Sequence, residues 1–345
     1  TADLESTHPE VDSLWKAIHR APSPSSEGRP SYEVGEKLAT RAASGKALQW
    51  LSKQIPSLWG GSADLAPSNK TFISGEPAFS KENRSGRNLH FGVREHGMAA
   101  LMNGMALHGG VRPYGGTFLI FSDYLRPSLR LSALMNLPVI YVFTHDSIFL
   151  GEDGPTHQPI ANIASLRAIP QVNVYRPADA EETTRSWELA LERGETSAIV
   201  LTRQGLPTLD RSPFHGEFEN GAYIAHNPDS PKAIVFATGS EVSACLEAAK
   251  LLQAKGHAVR VVAVPSWELF EEQARVYREE ILAPHFVGPR FAVEAASPFG
   301  WERFVGVGGH IIAMDRFGAS APAEVLAEKF GFSPERLVER IEKEL

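Results

Sequence analysis

The sequence predicts two doubly wound α/β domains, the first built on a mainly parallel sheet and the second smaller, on three observations. Short apolar runs alternate with stretches of helical periodicity along most of the 345 residues. A polar stretch bearing proline and glycine, 209–231, interrupts that alternation once. Polar and glycine residues gather just past the apolar runs, where ligands of open α/β sheets bind.

The elements follow in order. Residues 1–30 open on a short helical piece and end in a linker rich in proline and serine. Helical periodicity runs over 34–54, 94–108, 122–134 and 178–193, the last with Asp179 and Glu182 at capping-box spacing. Between them 57–60, 89–91, 139–143, 172–175 and 198–201 are short and apolar, as buried parallel strands are. Beyond a second linker at 214–230, the runs 233–237, 259–264, 291–294 and 311–314 alternate with helices such as 241–255. The expected division is therefore a tail and linker (1–30), a first domain (31–213), a linker (214–230) and a second domain (231–345).

Composition limits the class. A 43% hydrophobic and 22% charged chain is ordinary for a globular protein. Its formal net charge of -7 lacks like-charged blocks, which argues against nucleic acid and anionic membrane as partners. No apolar run approaches the roughly 20 residues of a bilayer span, and the start does not read as a signal peptide, so the expected compartment is the cytoplasm. Cys245 is the only cysteine; its setting among Ser243, Ala244 and Leu246 is that of a small core residue.

Three motifs carry chemistry. Gly151-Glu152-Asp153-Gly154-Pro155-Thr156-His157-Gln158-Pro159 sets an acid and an imidazole four residues apart in a turn that glycine and proline open. It follows an apolar run ending in Thr144-His145-Asp146, so it lies beyond the carboxyl end of a buried strand. Phe91-Gly92-Val93-Arg94-Glu95-His96-Gly97-Met98 passes from a short strand into a helix with Glu95 in its first turn, where the helix dipole favours a carboxylate. After Gly115-Gly116, residues Phe118, Phe121 and Tyr124 recur every third position, which fits a helix core or a clamp on a flat heterocycle.

These motifs, with Gly61-Ser62-Ala63-Asp64-Leu65-Ala66-Pro67-Ser68-Asn69, Arg203-Gln204, Ala237-Thr238-Gly239-Ser240-Glu241-Val242 and Phe317-Gly318-Ala319-Ser320-Ala321-Pro322-Ala323, stand in family order. Over 31–345 the chain resembles transketolase. The resemblance implies a thiamine diphosphate-dependent transferase moving a two-carbon ketol unit from a ketose phosphate such as xylulose 5-phosphate. Ribose 5-phosphate and erythrose 4-phosphate are the implied acceptors, in the pentose phosphate pathway. It assigns Glu95 to the carboxylate that bonds N1′ of the aminopyrimidine, and Phe118, Phe121 and Tyr124 to the pocket around that ring. Asp153 and His157 would hold the oxygens of the donor sugar, with His157 also relaying protons. Arg41, Ser68, His145 and Arg203 would bind the sugar phosphate, and Asp64 and Leu65 would support the site.

The same resemblance implies a homodimer whose sites form between subunits. It also implies an amino-terminal domain that binds the diphosphate through Mg²⁺ or Ca²⁺, using a Gly-Asp-Gly motif that this sequence lacks. No metal site is expected in the chain. The stretch Gly306-Val307-Gly308-Gly309 has neither an acid nor a lysine to follow it. The chain then reads as a truncated transketolase with little activity alone. The alternatives are the carboxy-terminal subunit of a split enzyme, or a noncatalytic module derived from one. Dihydroxyacetone synthase and deoxyxylulose-phosphate synthase share the core 153–158, but Gly151-Glu152-Asp153, Arg94-Glu95-His96 and Ser62-Ala63-Asp64 fit transketolase best. Phe149 departs from the small residue usual there, and its ring either narrows the substrate approach or packs elsewhere.

Overall fold

The computed structural model describes residues 6–19 and 22–345. The expected tail and linker, 1–30, falls partly outside them. Helix α1 (Pro9–His19) carries Glu10 and Asp12 in its first turn. β1 (Lys37–Ala39) runs straight into α2 (Thr40–Gln54), so the helix expected over 34–54 starts later. β2 (Leu58–Ser62), α3 (Ala66–Asn69), β3 (Asn88–His90) and α4 (Glu95–His108) follow.

β4 (Arg112–Phe118) is a central strand that the sequence pattern does not predict, because Pro113, Gly115 and Gly116 look like a turn. The glycines are there for close packing. A Cβ on Gly115 would meet the Met102 sulfur at 2.6 Å, and one on Gly116 would meet Thr71 Cγ2 at 2.7 Å. The chain then turns through a 3-10 segment, Leu119–Phe121, into α5 (Ser122–Leu134). Phe118, Phe121 and Tyr124 therefore do not share one helix face. They occupy a strand end, a tight turn and a first helical turn, and the corner between these elements brings the rings together.

β5 (Ile140–Thr144), α6 (Asn162–Arg167), β6 (Asn173–Tyr175), α7 (Ala180–Arg193), β7 (Ser197–Leu201) and β8 (Gly205–Pro207) complete the domain. At the start of α7 the Asp179 carboxylate accepts from the Glu182 N–H at 3.0 Å, while Glu182 caps the Ala178 N–H instead of that of Asp179. Six strands pair in the order β3-β2-β4-β5-β7-β6, every neighbour parallel. Because side chains alternate along a strand, Tyr141 and Phe143 of β5 pack with Met98, Leu129 and Ile163 on one face. Ile140 and Val142 pack with Leu51 and Trp187 on the other. β1 and β8 pair antiparallel as a separate ribbon that ties the start of α2 to the segment after β7.

The expected linker 214–230 is not merely a connector. It contains a 3-10 turn, Phe218–Asn220, and β9 (Tyr223–His226), whose short apolar run is masked in the sequence by polar flanks. β10 (Ala233–Ala237), α8 (Glu241–Ala254), β11 (Val259–Ala263), α9 (Trp267–Glu271) and α10 (Arg275–Leu282) follow, then β12 (Arg290–Val293) and α11 (Glu302–Val305). β13 (His310–Ile312), α12 (Ala323–Phe330) and α13 (Pro334–Glu342) end the chain. The sheet order is β13-β12-β10-β11-β9, parallel except for β9 against β11. Cys245 of α8 lies in the core between this sheet and α13, where burial raises its thiol pKa.

Two devices join the domains. Ile148 and Phe149 insert into the core of the second domain, with Phe149 edge-on to Phe332 at 5.9 Å, so the departing aromatic packs between domains. Arg176, fully buried after β6, ion-pairs with Asp146 of the first domain and with Glu241 and Glu294 of the second.

Candidate active site

Since β2 to β7 are parallel, their carboxyl ends lie along one edge of the sheet, and the chemistry-bearing residues follow those ends. Asp64 and Leu65 come after β2, Glu95 after β3, His145 after β5 and Arg203 after β7, while Phe118 closes β4. Asp64, Glu95, Phe118, Phe121, Tyr124 and His157 line a cavity of about 550 Å³, completed by Ala63, Leu65 and Val93. Glu95 is 9% exposed, and among the described residues no hydrogen bond or ion pair engages its carboxylate. Phe118 and Phe121 lie parallel, with centroids 5.8 Å apart and 8° between planes. Tyr124 stands 6.1 Å from Phe121 at the open rim, and His157 meets Phe121 edge-on at 5.8 Å.

Beside this cavity lies a basic cluster, joined to it by His145, whose ring stacks on Phe118 at 3.7 Å. His145 has a left-handed backbone, φ 61°, and a relay of hydrogen bonds fixes its ring. The Nδ1–H donates to Thr144 Oγ1 at 2.8 Å, and the Thr144 hydroxyl donates to Asn69 Oδ1 at 2.6 Å. Asn69 Nδ2 donates in turn to Ser62 Oγ, and Ser62 to the Gly116 carbonyl. Burial first, then the positive charges of Arg41 and Arg203 and the nearby His157, push the His145 pKa down to about 3, so the ring is neutral.

Arg41, at the start of α2, is held by its backbone N–H bonding to Thr202 O and by Nη1 donating to the Ser68 carbonyl at 3.0 Å. Burial and then Arg203 lower its pKa. Arg203 Nη1 lies 4.0 Å from where a side chain on Gly151 would begin. Neither guanidinium has a carboxylate partner among the described residues, whereas Arg29, Arg87, Arg176, Arg185 and Arg211 do. Two unpaired guanidinium groups beside a neutral imidazole can accept a phosphate or another dianion.

The turn 151–159 rests on glycines in positive φ, Gly151 at 94° and Gly154 at 74°. It delivers His157 to the cavity, with Nδ1 at 2.9 Å from Thr156 Oγ1. Asp153 stays exposed on the turn and does not line the cavity. Ser68 is brought to Arg41 through its carbonyl rather than its hydroxyl. Sequence reasoning missed the residues behind these groups: Asn69 and Thr144 in the relay, Arg176 behind Asp146, and Gln158 behind the turn. Asn69, Thr144 and Gln158 stood inside the quoted motifs. Arg176 carried no local signal, since its partners lie 30 to 118 positions away. Among the described residues no group of three or more His, Cys, Asp or Glu could hold a metal ion, and no helix is long and apolar enough to cross a membrane.

Comparison with known proteins gives a family for each of the two sheets. The family described as transketolase, pyrimidine binding domain, matches residues 36–208, and the transketolase-like C-terminal domain matches 221–333. The transketolase of Halalkalibacterium halodurans is 50% identical over 98% of this chain and 52% of its own length. That of Geobacillus stearothermophilus gives the same figures, so the chain spans about half the length of the curated relatives it matches. The structure of Pichia stipitis transketolase with sedoheptulose 7-phosphate superposes with a TM-score of 0.92 at 38% identity, covering 99% of this chain and 51% of that one. A split-gene transketolase described as an inactive β4 tetramer superposes with a TM-score of 0.72 at 25% identity, over 89% of this chain and 98% of that one. With family matches over both sheets and half-identical relatives along nearly its whole length, the chain belongs to the transketolase family.

Proposed function

We propose that the chain forms the pyrimidine- and donor-sugar-binding part of a transketolase that moves a two-carbon ketol unit from a ketose phosphate to an aldose phosphate. Xylulose 5-phosphate is the proposed donor, with ribose 5-phosphate and erythrose 4-phosphate as acceptors, in the pentose phosphate pathway of the cytoplasm. The observation that carries this reading is the unengaged Glu95 carboxylate facing the same cavity as the parallel rings of Phe118 and Phe121 and the imidazole of His157. A flat heterocycle with a ring nitrogen fits that set: aromatic faces to stack on and a buried acid to bond the nitrogen. The aminopyrimidine of thiamine diphosphate is such a ring. When bound, that cofactor supplies carbanion chemistry for breaking and forming the bond next to a carbonyl.

The chain's own residues would then divide the work. Glu95 holds a proton at the pyrimidine nitrogen, and Phe118, Phe121 and Tyr124 fix the ring plane. His157 exchanges a proton with the oxygen of the donor carbon, a role typically contributing about 10²- to 10⁴-fold. Asp153 takes a donor hydroxyl once sugar covers the turn. Arg41 and Arg203, with Ser68 and His145, bind the phosphate. The diphosphate, with Mg²⁺ or Ca²⁺, is assigned to an amino-terminal domain of the family's kind, in cis or in trans. A second copy of the chain is the proposed partner for the exposed Leu101 and Leu107 of α4 and Leu131 and Leu134 of α5.

A second reading, the carboxy-terminal subunit of a split enzyme, is favoured by the likeness to the split-gene chain over 98% of that chain. Mixing the 345-residue chain with a separately expressed diphosphate-binding domain tests both. Ketol transfer should arise only in the mixture, and Glu95→Ala should abolish it, a loss of at least about 10²-fold. A mixture that neither binds thiamine diphosphate nor turns over would leave a noncatalytic module as the correct reading.

A further inference from the structure

The turn carrying Asp153 and His157 belongs to the first domain, yet the second domain holds it. Gln158, 1% exposed and next to His157, uses its amide Nε2 to span three carbonyls: Ile148 O at 3.1 Å, Gly151 O at 3.1 Å and Ala319 O at 2.9 Å. The first two brace the entry to the turn, and the third belongs to the loop before α12. On that loop the Ser320 hydroxyl donates to the Glu152 carbonyl. The Ser320 Cβ also lies 3.1 Å from where a Cβ on Gly154 would sit, so both neighbours of Asp153 rest on Ser320. A Cβ on Gly318 would come within 1.8 Å of Gln158 Oε1, so only glycine lets the loop approach this closely. Ile148 and Phe149 anchor the apolar side of the turn in the second-domain core. Ser320 and Gln158 do not line the cavity.

We propose that the second domain is the template for the donor turn, with Gln158 and Ser320 as positioning residues that set the side chains of His157 and Asp153. A glycine-rich turn has many conformations of its own, and acid–base groups act only when held to within a fraction of an ångström. Hydrogen bonds from outside the turn supply what its own backbone lacks. The kinetic consequence rests on the ketol-transfer reading; the positioning itself does not.

The test uses two readouts. In the 345-residue chain, NMR of the His157 ring, assigned by its loss in His157→Gln, should shift or broaden in Ser320→Ala and Gln158→Leu and return in Ser320→Thr. Because Ser320 is exposed, Ser320→Ala should keep the wild-type melting temperature. Mixed with the diphosphate-binding domain, both variants should raise the KM for the ketose phosphate about tenfold while thiamine diphosphate affinity stays unchanged. A wild-type His157 signal in both variants overturns the inference. So does a shift that appears only together with a fall in melting temperature in both. A wild-type mixture without ketol transfer, beside an intact His157 response, overturns the functional reading alone.

Discussion

His145 shows how a residue's neighbours decide its chemistry. Its pKa, pushed from 6.5 to about 3 by burial and by Arg41, Arg203 and His157, means that the unfolded chain binds a proton the folded chain rejects between those values. Stability is therefore lost as pH falls from 6.5 toward about 3, by up to about 1.4 kcal/mol per pH unit from this group. His145→Gln should flatten that slope in urea titrations repeated at several pH values; an unchanged slope would show that the ring is not held neutral. Inorganic phosphate, by offsetting Arg41 and Arg203, should raise the His145 pKa in NMR titrations of the chain. No movement at saturating phosphate would remove the two guanidinium groups from the anion site.

At the level of elements, two local features fix the edge on which the site is built. Gly60 and Gly61 let β2 lie between β4 and β3: a Cβ would meet the Tyr114 carbonyl oxygen at 2.0 Å or the Leu89 carbonyl oxygen at 1.9 Å. Gly61→Ala should displace β3 and the Glu95 turn after it, costing roughly 3 kcal/mol or more, as overpacking against backbone does. Chemical denaturation measures it, and a wild-type midpoint would refute the close approach. Asp179 at the start of α7 serves three partners: the Glu182 N–H, the Leu209 N–H at 2.9 Å, and Arg211 through both carboxylate oxygens at 2.8 and 2.9 Å. Asp179→Ala removes a cap and the two-oxygen partner of Arg211, which keeps only Glu182 at 3.5 Å, an expected loss of about 1–3 kcal/mol. Asp179→Asn, which keeps the cap but not the charge, should lose less.

Across the whole molecule, Arg176 holds the domains together from a site with no exposure. It pairs with Asp146 at 2.9 Å and Glu241 at 2.5 Å, while Glu294 also takes Arg167 through both oxygens and the Trp301 indole N–H at 2.7 Å. Burial raises the Glu241 pKa despite this partner, whereas at Glu294 the two arginines outweigh burial and lower it. Arg176→Ala leaves buried carboxylates uncompensated and should cost about 3–5 kcal/mol. The Glu241 pKa, already raised by burial, then loses the offsetting arginine and rises further, so the variant should recover stability relative to wild type as pH falls through the carboxylate range; a loss independent of pH would mean that packing alone was removed.

The sequence by itself determined the family, the two α/β domains and helices such as 122–134, and it singled out Glu95 and His157, which line one cavity, because turn glycines, apolar periodicity and motif order are local properties of a chain. It could not give β4, whose glycines read as a turn until Met102 and Thr71 are seen packed against them. Nor could it give β9, hidden inside an apparent linker, or the corner that gathers three aromatics from three different elements. Tertiary structure alone decided that His145 is neutral, that Phe149 belongs to the domain junction, and that the turn 151–159 is braced by a loop some 160 residues away. Those outcomes depend on burial and on charges brought close through space, and neither quantity exists until the chain has folded.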